Sequence, residues 1–293
     1  MRQTLPYDAP WGESIRSVNI CGAGPAVRYP RPILTDEGAD FMNSNDINRR
    51  RDQMGQAAGE MLRGGPAPVI DRGEGYWIAL SGAPSPDMNM TLVSRGSAPA
   101  VAGVLDRVTD SGIPTLFMLT GECQGEVLGK PWEHVGEMPF MASALASEHL
   151  YSDQRVRRAG PDDVGIVCQV MAEAFGLGED LLVDVISGVL GDRSSKTRIW
   201  LLVNDKEPAS AVLTSMVDEV VTVWCMSTPE RLSRRGFGRA VLAHALLEAR
   251  SEGATVGLLG ATPAGKPLYD RTGWTTLENW QMFASVESAQ FSG

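Results

Sequence analysis

The chain has 293 residues, of which 43% are hydrophobic and 21% charged, and its formal net charge is −10. This composition is typical of a globular protein, and the length favours two domains, expected over 1–150 and 151–293. The negative charge argues against a nucleic-acid partner, and no apolar run reaches the ~18 residues of a membrane span. The four cysteines are scattered without metal spacing, and the N-terminus lacks a secretion signal, so we expect free thiols, a cytoplasmic location and no metal.

In the first half, residues 1–36 are rich in Gly and Pro and show no periodicity, which predicts an irregular arm. Apolar periodicity and turn residues then predict, in order, a helix over Asp36–Arg63, strands over Tyr76–Leu80 and Met88–Val93, a helix over Pro99–Val108 and a strand over Pro114–Leu119. The basic run Arg49–Arg51 in the first helix is interpreted as a solvated face.

The second half repeats this order. The pattern predicts a short strand over Arg155–Arg158, helices over Asp162–Phe175 and Leu181–Leu190, and strands over Ile199–Val203, Ser210–Ser215 and Val220–Met226. A short sequence match supports the repeat, because Gly129-Lys130-Pro131-Trp132 in the first half corresponds to Gly265-Lys266-Pro267-Leu268 in the second. An internal duplication is therefore expected, with each copy forming one compact unit.

The stretch that follows the last of these strands, Ser233-Arg234-Arg235-Gly236-Phe237-Gly238-Arg239, carries the clearest chemical signal. An apolar helical pattern starts directly behind it, which makes the loop a helix N-terminus where free backbone N–H groups attract anions. Glycine allows the backbone to approach a phosphate closely, and arginine adds forked donors. Since neither a Gly-Lys-Ser/Thr sequence nor a third glycine follows, the loop is neither a nucleoside-triphosphate nor a dinucleotide site.

A second short strand, Thr255–Leu259, and the sequence Leu268-Tyr269-Asp270-Arg271-Thr272-Gly273-Trp274 come after this helix. This order of elements resembles the GCN5-related N-acetyltransferase (GNAT) superfamily over roughly residues 155–285: a strand, the Arg/Gly loop, a helix, a second strand and this late signature. That family's loop reads Gln/Arg-x-x-Gly-x-Gly/Ala and its late signature Leu-Tyr-x-x-x-Gly-Phe. Here Ser233 and Trp274 depart from the usual residues. The resemblance implies an α/β (α+β) fold of two tandem GNAT-like domains, each a mixed, mostly antiparallel twisted sheet flanked by helices.

The corresponding loop of the first half has fewer glycines and arginines. Ser94-Arg95-Gly96-Ser97-Ala98-Pro99 contains one glycine and one arginine, with proline at the helix start. We therefore interpret the first half as a degenerate copy and expect one coenzyme A per chain, bound within 200–275.

The resemblance also implies site residues. Coenzyme A pyrophosphate would lie on the loop residues Arg234, Arg235, Gly236, Phe237, Gly238 and Arg239, and the pantetheine arm along Cys225, Met226 and Ser227. Tyr269 is expected to protonate the leaving thiolate. The base is open between the adjacent Asp218 and Glu219, of which at most one can face the cleft, and Glu219 is the predicted one.

These residues predict transfer of an acetyl group from acetyl-CoA to a primary amine of a small molecule, directly rather than through Cys225. A non-catalytic coenzyme A-binding sensor or scaffold is the alternative, against which Tyr269 argues. Aromatic residues of the first half, Tyr76, Trp77 and Trp132, are candidate walls of the acceptor cleft. The acceptor's identity stays open, as does the choice between monomer and homodimer.

Overall fold

The computed structural model describes residues 44–96, 98–192 and 194–285; the irregular arm and the start of the first predicted helix lie outside these ranges. The helices are α1 (Ser44–Leu62), α2 (Ala98–Asp110), α3 (Val164–Phe175), α4 (Asp180–Gly191), α5 (Phe237–Ser251) and α6 (Lys266–Asp270). The strands are β1 (Val69–Gly73), β2 (Tyr76–Leu80), β3 (Asn89–Val93), β4 (Leu116–Leu119), β5 (Trp132–Ser143), β6 (Val156–Arg158), β7 (Thr197–Asn204), β8 (Glu207–Val217), β9 (Val220–Ser227), β10 (Val256–Gly260) and β11 (Thr275–Ser285). No helix within the described ranges has the length and apolar character needed to cross a membrane.

All these strands join one sheet in the order β1-β2-β3-β4-β11-β5-β10-β9-β8-β7-β6. The pairs β3–β4 and β9–β10 are parallel, each connected through a helix, and the other pairs are antiparallel. The prediction of a mixed, mostly antiparallel sheet flanked by helices is confirmed, whereas its division into two tandem domains, each with its own sheet, stays a prediction.

The two halves of the chain exchange their last strands. The first half's β5 pairs with β10, and the second half's β11 lies between β4 and β5. Read inward from the two ends, β1-β2-β3-β4-β11 mirrors β7-β8-β9-β10-β5, with β6 as an additional edge strand. This strand order is the one expected if the two halves have the same arrangement of strands and helices and each contributes its last strand to the other half.

Neither exchanged strand is evident from the sequence. In β5, Gly136 and Pro139 interrupt the run, and in β11 the consecutive polar residues Glu278 and Asn279 break the alternation of a half-buried strand. Both strands are stabilised by pairing with segments that are distant in sequence, and the local residue pattern does not predict such pairing.

Helices cover both faces of the sheet. Helices α1, α3 and α4 pack on one face over a single core that runs through both halves and includes Trp77, Phe140, Leu213 and Trp280. On the opposite face, α2 covers the first half and α5 the second, over two separate cores. Strand alternation explains this division, since Trp200 and Leu201 belong to cores on opposite faces.

The basic run of α1 is not a solvated face throughout, so that interpretation is wrong for Arg51. Arg51 is only 5% exposed, and its guanidinium forms an ion pair with Glu278 of β11 (Nε to Oε1, 2.8 Å). Arg49 and Arg50 both contact Glu219, at 2.9 and 3.1 Å. Buried charge needs an opposite partner, and this pair joins the first half's helix to the second half's last strand.

Candidate active site

Strands β9 and β10 separate towards their carboxyl ends. Their parallel register runs from Val220 opposite Val256 to Thr222 opposite Leu258 and extends no further, although β9 continues to Ser227. A bulge turns β9 away: Cys225 has φ +48°, and the pairing with β8 shifts register at this point. The separation leaves a wedge at the carboxyl ends of two parallel strands, the usual place for a ligand in such sheets.

The loop after β9 brings the N-terminus of α5 to the mouth of this wedge. Gly236 has φ +84° and precedes α5, and no side chain caps the helix. The first N–H groups of α5 therefore point outward without intrahelical partners. A Cβ at Gly238 would lie 3.2 Å from Met226 Cε and from Thr228 Oγ1, so this glycine permits the close approach of α5 to the end of β9.

Three arginines surround this helix end. Arg234, Arg235 and Arg239 are exposed, and none forms an ion pair with a described carboxylate. The Arg235 guanidinium lies over the Phe237 ring, 5.0 Å from its centroid. Uncapped N–H groups, positive side chains and the helix dipole together make an anion site.

Inside the wedge is a cavity of ≈ 160 Å³, lined by residues of both halves. Its wall is largely apolar and includes seven methionines and three tryptophans: Met54, Met61, Met88, Met90, Met118, Met138, Met226, Trp77, Trp224 and Trp280. Among the lining residues that the structure describes, Asp87 is the one whose side chain carries a charge. The described wall is therefore an adaptable, largely apolar surface.

Tyr269 and Cys225 line the same cavity from the second half. Tyr269 lies on α6, is 4% exposed and packs edge-on against Trp274 at 5.7 Å. Burial, followed by the neighbouring Cys225, raises the pKa of Tyr269 well above its usual range. Burial also raises the pKa of the Cys225 thiol to about 12. Both groups therefore keep their protons at neutral pH.

Asp87 comes from the turn between β2 and β3, where the sequence pattern indicates no site residue. The turn is folded around the amide of the buried Asn89, whose Oδ1 accepts from Ser81 N (2.8 Å) and whose Nδ2 donates to Ala83 O (2.8 Å) and Ser85 O (2.7 Å). Asp87 is thereby held at the cavity by a rigid support. An aspartate between Pro86 and Met88 reads as an ordinary turn residue, so no local signal identifies it.

Glu219, the predicted base, does not line the cavity in the wedge. It occupies the turn before β9, and six residues of extended strand, roughly 20 Å, separate it from Cys225. Its own backbone N–H and the adjacent Arg50 hold the pKa of its carboxyl below the usual range. A paired and ionised carboxylate at the opposite end of the strand is not in reach of the wedge.

Among the aromatic wall candidates of the first half, the structure brings only Trp77 to the cavity. Tyr76 donates to Asp71 near the sheet edge (3.0 Å), and Trp132 packs against Phe117 beneath α2 (5.4 Å). Within the described ranges, no group of three or more His, Cys, Asp or Glu side chains is arranged to hold a metal.

The corresponding place in the first half has no wedge. Strands β3 and β4 stay paired to their ends, with Val93 opposite Leu119. Proline at the second position of α2, Pro99, removes one of the N–H groups that an anion would use. Arg95 lies 3.6 Å from Glu74, which offsets its charge.

No protein-family model and no curated protein matches this sequence. Solved structures match in fold. A GCN5-related N-acetyltransferase from Kribbella flavida is 15% identical and aligns over 80% of this chain and 95% of its own, with a TM-score of 0.57. A putative GNAT-family acetyltransferase from Novosphingobium aromaticivorans DSM 12444 is 13% identical over 78% and 96%, with a TM-score of 0.53. A functionally unknown conserved protein from Staphylococcus epidermidis ATCC 12228 is 13% identical over 74% and 93%, with a TM-score of 0.55. At these identities the likeness concerns the fold.

Proposed function

We propose that this chain, which has the fold of the GCN5-related N-acetyltransferases, transfers an acetyl group from acetyl-CoA to a primary amine of a small molecule. The observation that carries the proposal is the wedge between β9 and β10, with a donor-rich helix end at its mouth and Tyr269 inside it. An acyl carrier bound across this wedge would have its phosphates outside and its thioester within.

The residues of the wedge fit coenzyme A. The outward N–H groups of α5 would bind pyrophosphate oxygens, and Arg234, Arg235 and Arg239 would add charge. The bulged residues Cys225, Met226 and Ser227 would lie along the pantetheine arm. Gly238 keeps this contact surface open, because a side chain there would enter the space beside Met226.

Tyr269 suits the role of proton donor. When acetyl-CoA is bound, it supplies an activated acyl group whose transfer leaves a thiolate. The phenol of Tyr269 holds its proton at neutral pH, because burial raises its pKa, and it lies in the same cavity as Cys225. It would deliver that proton to the departing sulfur and recover one from solvent.

Direct transfer is favoured over an acyl-cysteine intermediate. A nucleophilic cysteine needs thiolate character, and a Cys225 thiol with a pKa of about 12 has almost none at neutral pH. The amine would therefore attack the thioester itself.

We further propose that the first half is a degenerate copy that covers the acceptor side of the cleft. Its strands β3 and β4 do not separate, while its residues Met54, Trp77 and Met90 line the cavity. One coenzyme A per chain follows. The described cysteines are free thiols, and a reducing compartment such as the cytoplasm suits them.

The test is an assay of acetyl-CoA with a panel of amines, in which free thiol and the mass of the acetylated amine are measured together. The proposal predicts equal amounts of the two products for at least one amine. Tight coenzyme A binding without any acetylated product across the panel would contradict it and would favour a coenzyme A-binding sensor.

A further inference from the structure

The bulge that turns β9 away from β10 contains a residue in an uncommon backbone conformation. On β8, Val212 alone stands opposite two residues of β9, Cys225 and Met226. Cys225 has φ +48°. In bulges with a positive φ the residue at that place is usually glycine, because a side chain makes the conformation unfavourable. Cys225 therefore stores backbone strain, which persists only where the surrounding structure holds it.

The same bulge decides which side chains of β9 reach the cavity. Neighbouring residues of a regular strand point to opposite faces of a sheet. Trp224 and Cys225 instead both pack against the core shared by α1 and α3, and both line the cavity. The strained conformation thus brings the Cys225 thiol into the cavity that Tyr269 also lines.

Three hydroxyl groups hold the bulged end of β9. Ser227 Oγ donates to Cys225 O (2.7 Å), and Ser210 Oγ on β8 donates to Ser227 O (2.6 Å). Because Ser210 has one hydroxyl proton, Thr228 Oγ1 is the donor in its contact with Ser210 Oγ (2.8 Å). The side chains of Ser210 and Ser227 are fully buried, so the bonds between them are shielded from water.

Ser210 is placed to act on the wedge without touching a ligand. It is fully buried and is not one of the residues that line the cavity. Through Ser227 it holds the bulge that separates β9 from β10. Through Thr228 it holds the side chain against which the start of α5 packs, since a Cβ at Gly238 would lie 3.2 Å from Thr228 Oγ1.

We propose that Ser210 is a positioning residue for coenzyme A, whose hydroxyl keeps β9 bulged and the wedge open before the ligand binds. This inference rests on the proposed coenzyme A site. Without the hydroxyl, the strain at Cys225 favours a return of β9 to regular pairing, in which the wedge is closed. Because the ligand binds only molecules whose site is formed, its apparent affinity falls with the fraction of molecules that have an open wedge.

Calorimetry with coenzyme A on Ser210→Ala and Ser215→Ala tests this role. Ser215 is the matched control, because it is another fully buried serine of β8 and its hydroxyl accepts from Thr197 Oγ1 (3.0 Å) on β7. It lies about 17 Å along the strand from Ser210. Each variant loses one buried hydrogen bond, so urea unfolding should show similar destabilisation. The dissociation constant for coenzyme A should rise by about threefold or more in Ser210→Ala and stay unchanged in Ser215→Ala.

The Cys225→Gly background separates positioning from a general loss of stability. Glycine adopts a positive φ without strain, so the bulge no longer depends on the hydroxyl there. In that background Ser210→Ala should change the dissociation constant by less than about twofold, because the two sites are coupled. An equal loss of affinity in both backgrounds would overturn the inference, and so would equal affinities of Ser210→Ala and Ser215→Ala.

Alkylation of Cys225 in the absence of coenzyme A distinguishes failure of this inference from failure of the proposed function. Labelling by iodoacetamide, followed by mass spectrometry of the peptide that contains Cys225, should be about threefold or more faster in Ser210→Ala than in Ser215→Ala, because the bulge opens more often. Equal labelling, with acetylation by the unmodified protein intact, would refute the inference alone. Faster labelling in a protein that does not bind coenzyme A would refute the proposed function and the positioning role, and would leave Ser210 a structural support of the bulge.

Discussion

Replacement of Gly238 by alanine tests whether the end of α5 holds the phosphates of coenzyme A. The added Cβ would lie 3.2 Å from Met226 Cε and 3.2 Å from Thr228 Oγ1, and 3.8 Å from Leu268 Cδ2. The Met226 methyl is the end of a flexible side chain and can move by a few tenths of an ångström. Thr228 is less free, because its hydroxyl lies 2.8 Å from Ser210 Oγ.

The expected effect on folding is small and that on binding large. Alanine in place of glycine in a helix stabilises by about 0.4–1 kcal/mol, which offsets the cost of the tight contacts. The same methyl group would press against Thr228 and Met226 and move the start of α5, whose N–H groups would bind the pyrophosphate, away from the end of β9. Loss of one charge-assisted hydrogen bond costs about 1.5–3 kcal/mol, so the dissociation constant for coenzyme A should rise roughly ten- to a hundredfold.

Gly165→Ala is the matched control. Gly165 is the second residue of α3, as Gly238 is of α5, and a Cβ there would meet no atom within 4 Å. Calorimetry with coenzyme A and urea unfolding of both variants give the comparison. Equal coenzyme A affinity in Gly238→Ala, Gly165→Ala and the unmodified protein would refute the placement of the phosphates at α5.

Titration with coenzyme A should give one site per chain, because of the two parallel pairs in the described sheet β9 and β10 separate and β3 and β4 do not; two equivalent sites would contradict the degenerate first half. Cys225 has a folded-state pKa of about 12 against an ordinary value of 9.0, so the stability it contributes is present below pH 9 and is lost as pH rises towards 12. Between pH 8 and pH 10, urea unfolding of the unmodified protein should therefore lose about 1.4 kcal/mol more than that of Cys225→Ala, and equal losses would argue against burial of this thiol. Glu278→Ala should destabilise by about 3–5 kcal/mol, since it leaves Arg51 buried and unpaired. Glu60→Ala, which breaks the exposed pair with Arg63, should cost less than about 1 kcal/mol, and a similar cost for both would refute a structural role for the buried pair.

The second half was largely predictable from sequence because its elements carry local signals. Apolar periodicity predicts α3, α4 and β7 to β9 within a few residues. The loop is recognisable because glycine is the residue that most readily adopts a positive φ, so its place before a helix is visible in the sequence. Gly236 does have a positive φ. Tyr269 is recognisable from the late signature, and it lines the cavity.

What the sequence did not reveal depends on contacts between distant segments. The exchange of β5 and β11 is specified by pairing across more than a hundred residues, not by alternation within either strand. Asp87 reaches the cavity only because the first half covers the second half's wedge. The resemblance implies Glu219 as the base, whereas the structure has it before β9, at the end of that strand away from the wedge, in contact with Arg49 and Arg50.

The steady-state turnover of Tyr269→Phe, measured beside its coenzyme A affinity, tests the account most directly. Phenylalanine keeps the ring that packs against Trp274 and removes only the hydroxyl. If Tyr269 protonates the leaving thiolate, kcat should fall by about two orders of magnitude while the dissociation constant for coenzyme A changes by less than about twofold. Unchanged kcat, or a loss of coenzyme A affinity with kcat preserved, would contradict acid catalysis by Tyr269 in this cavity.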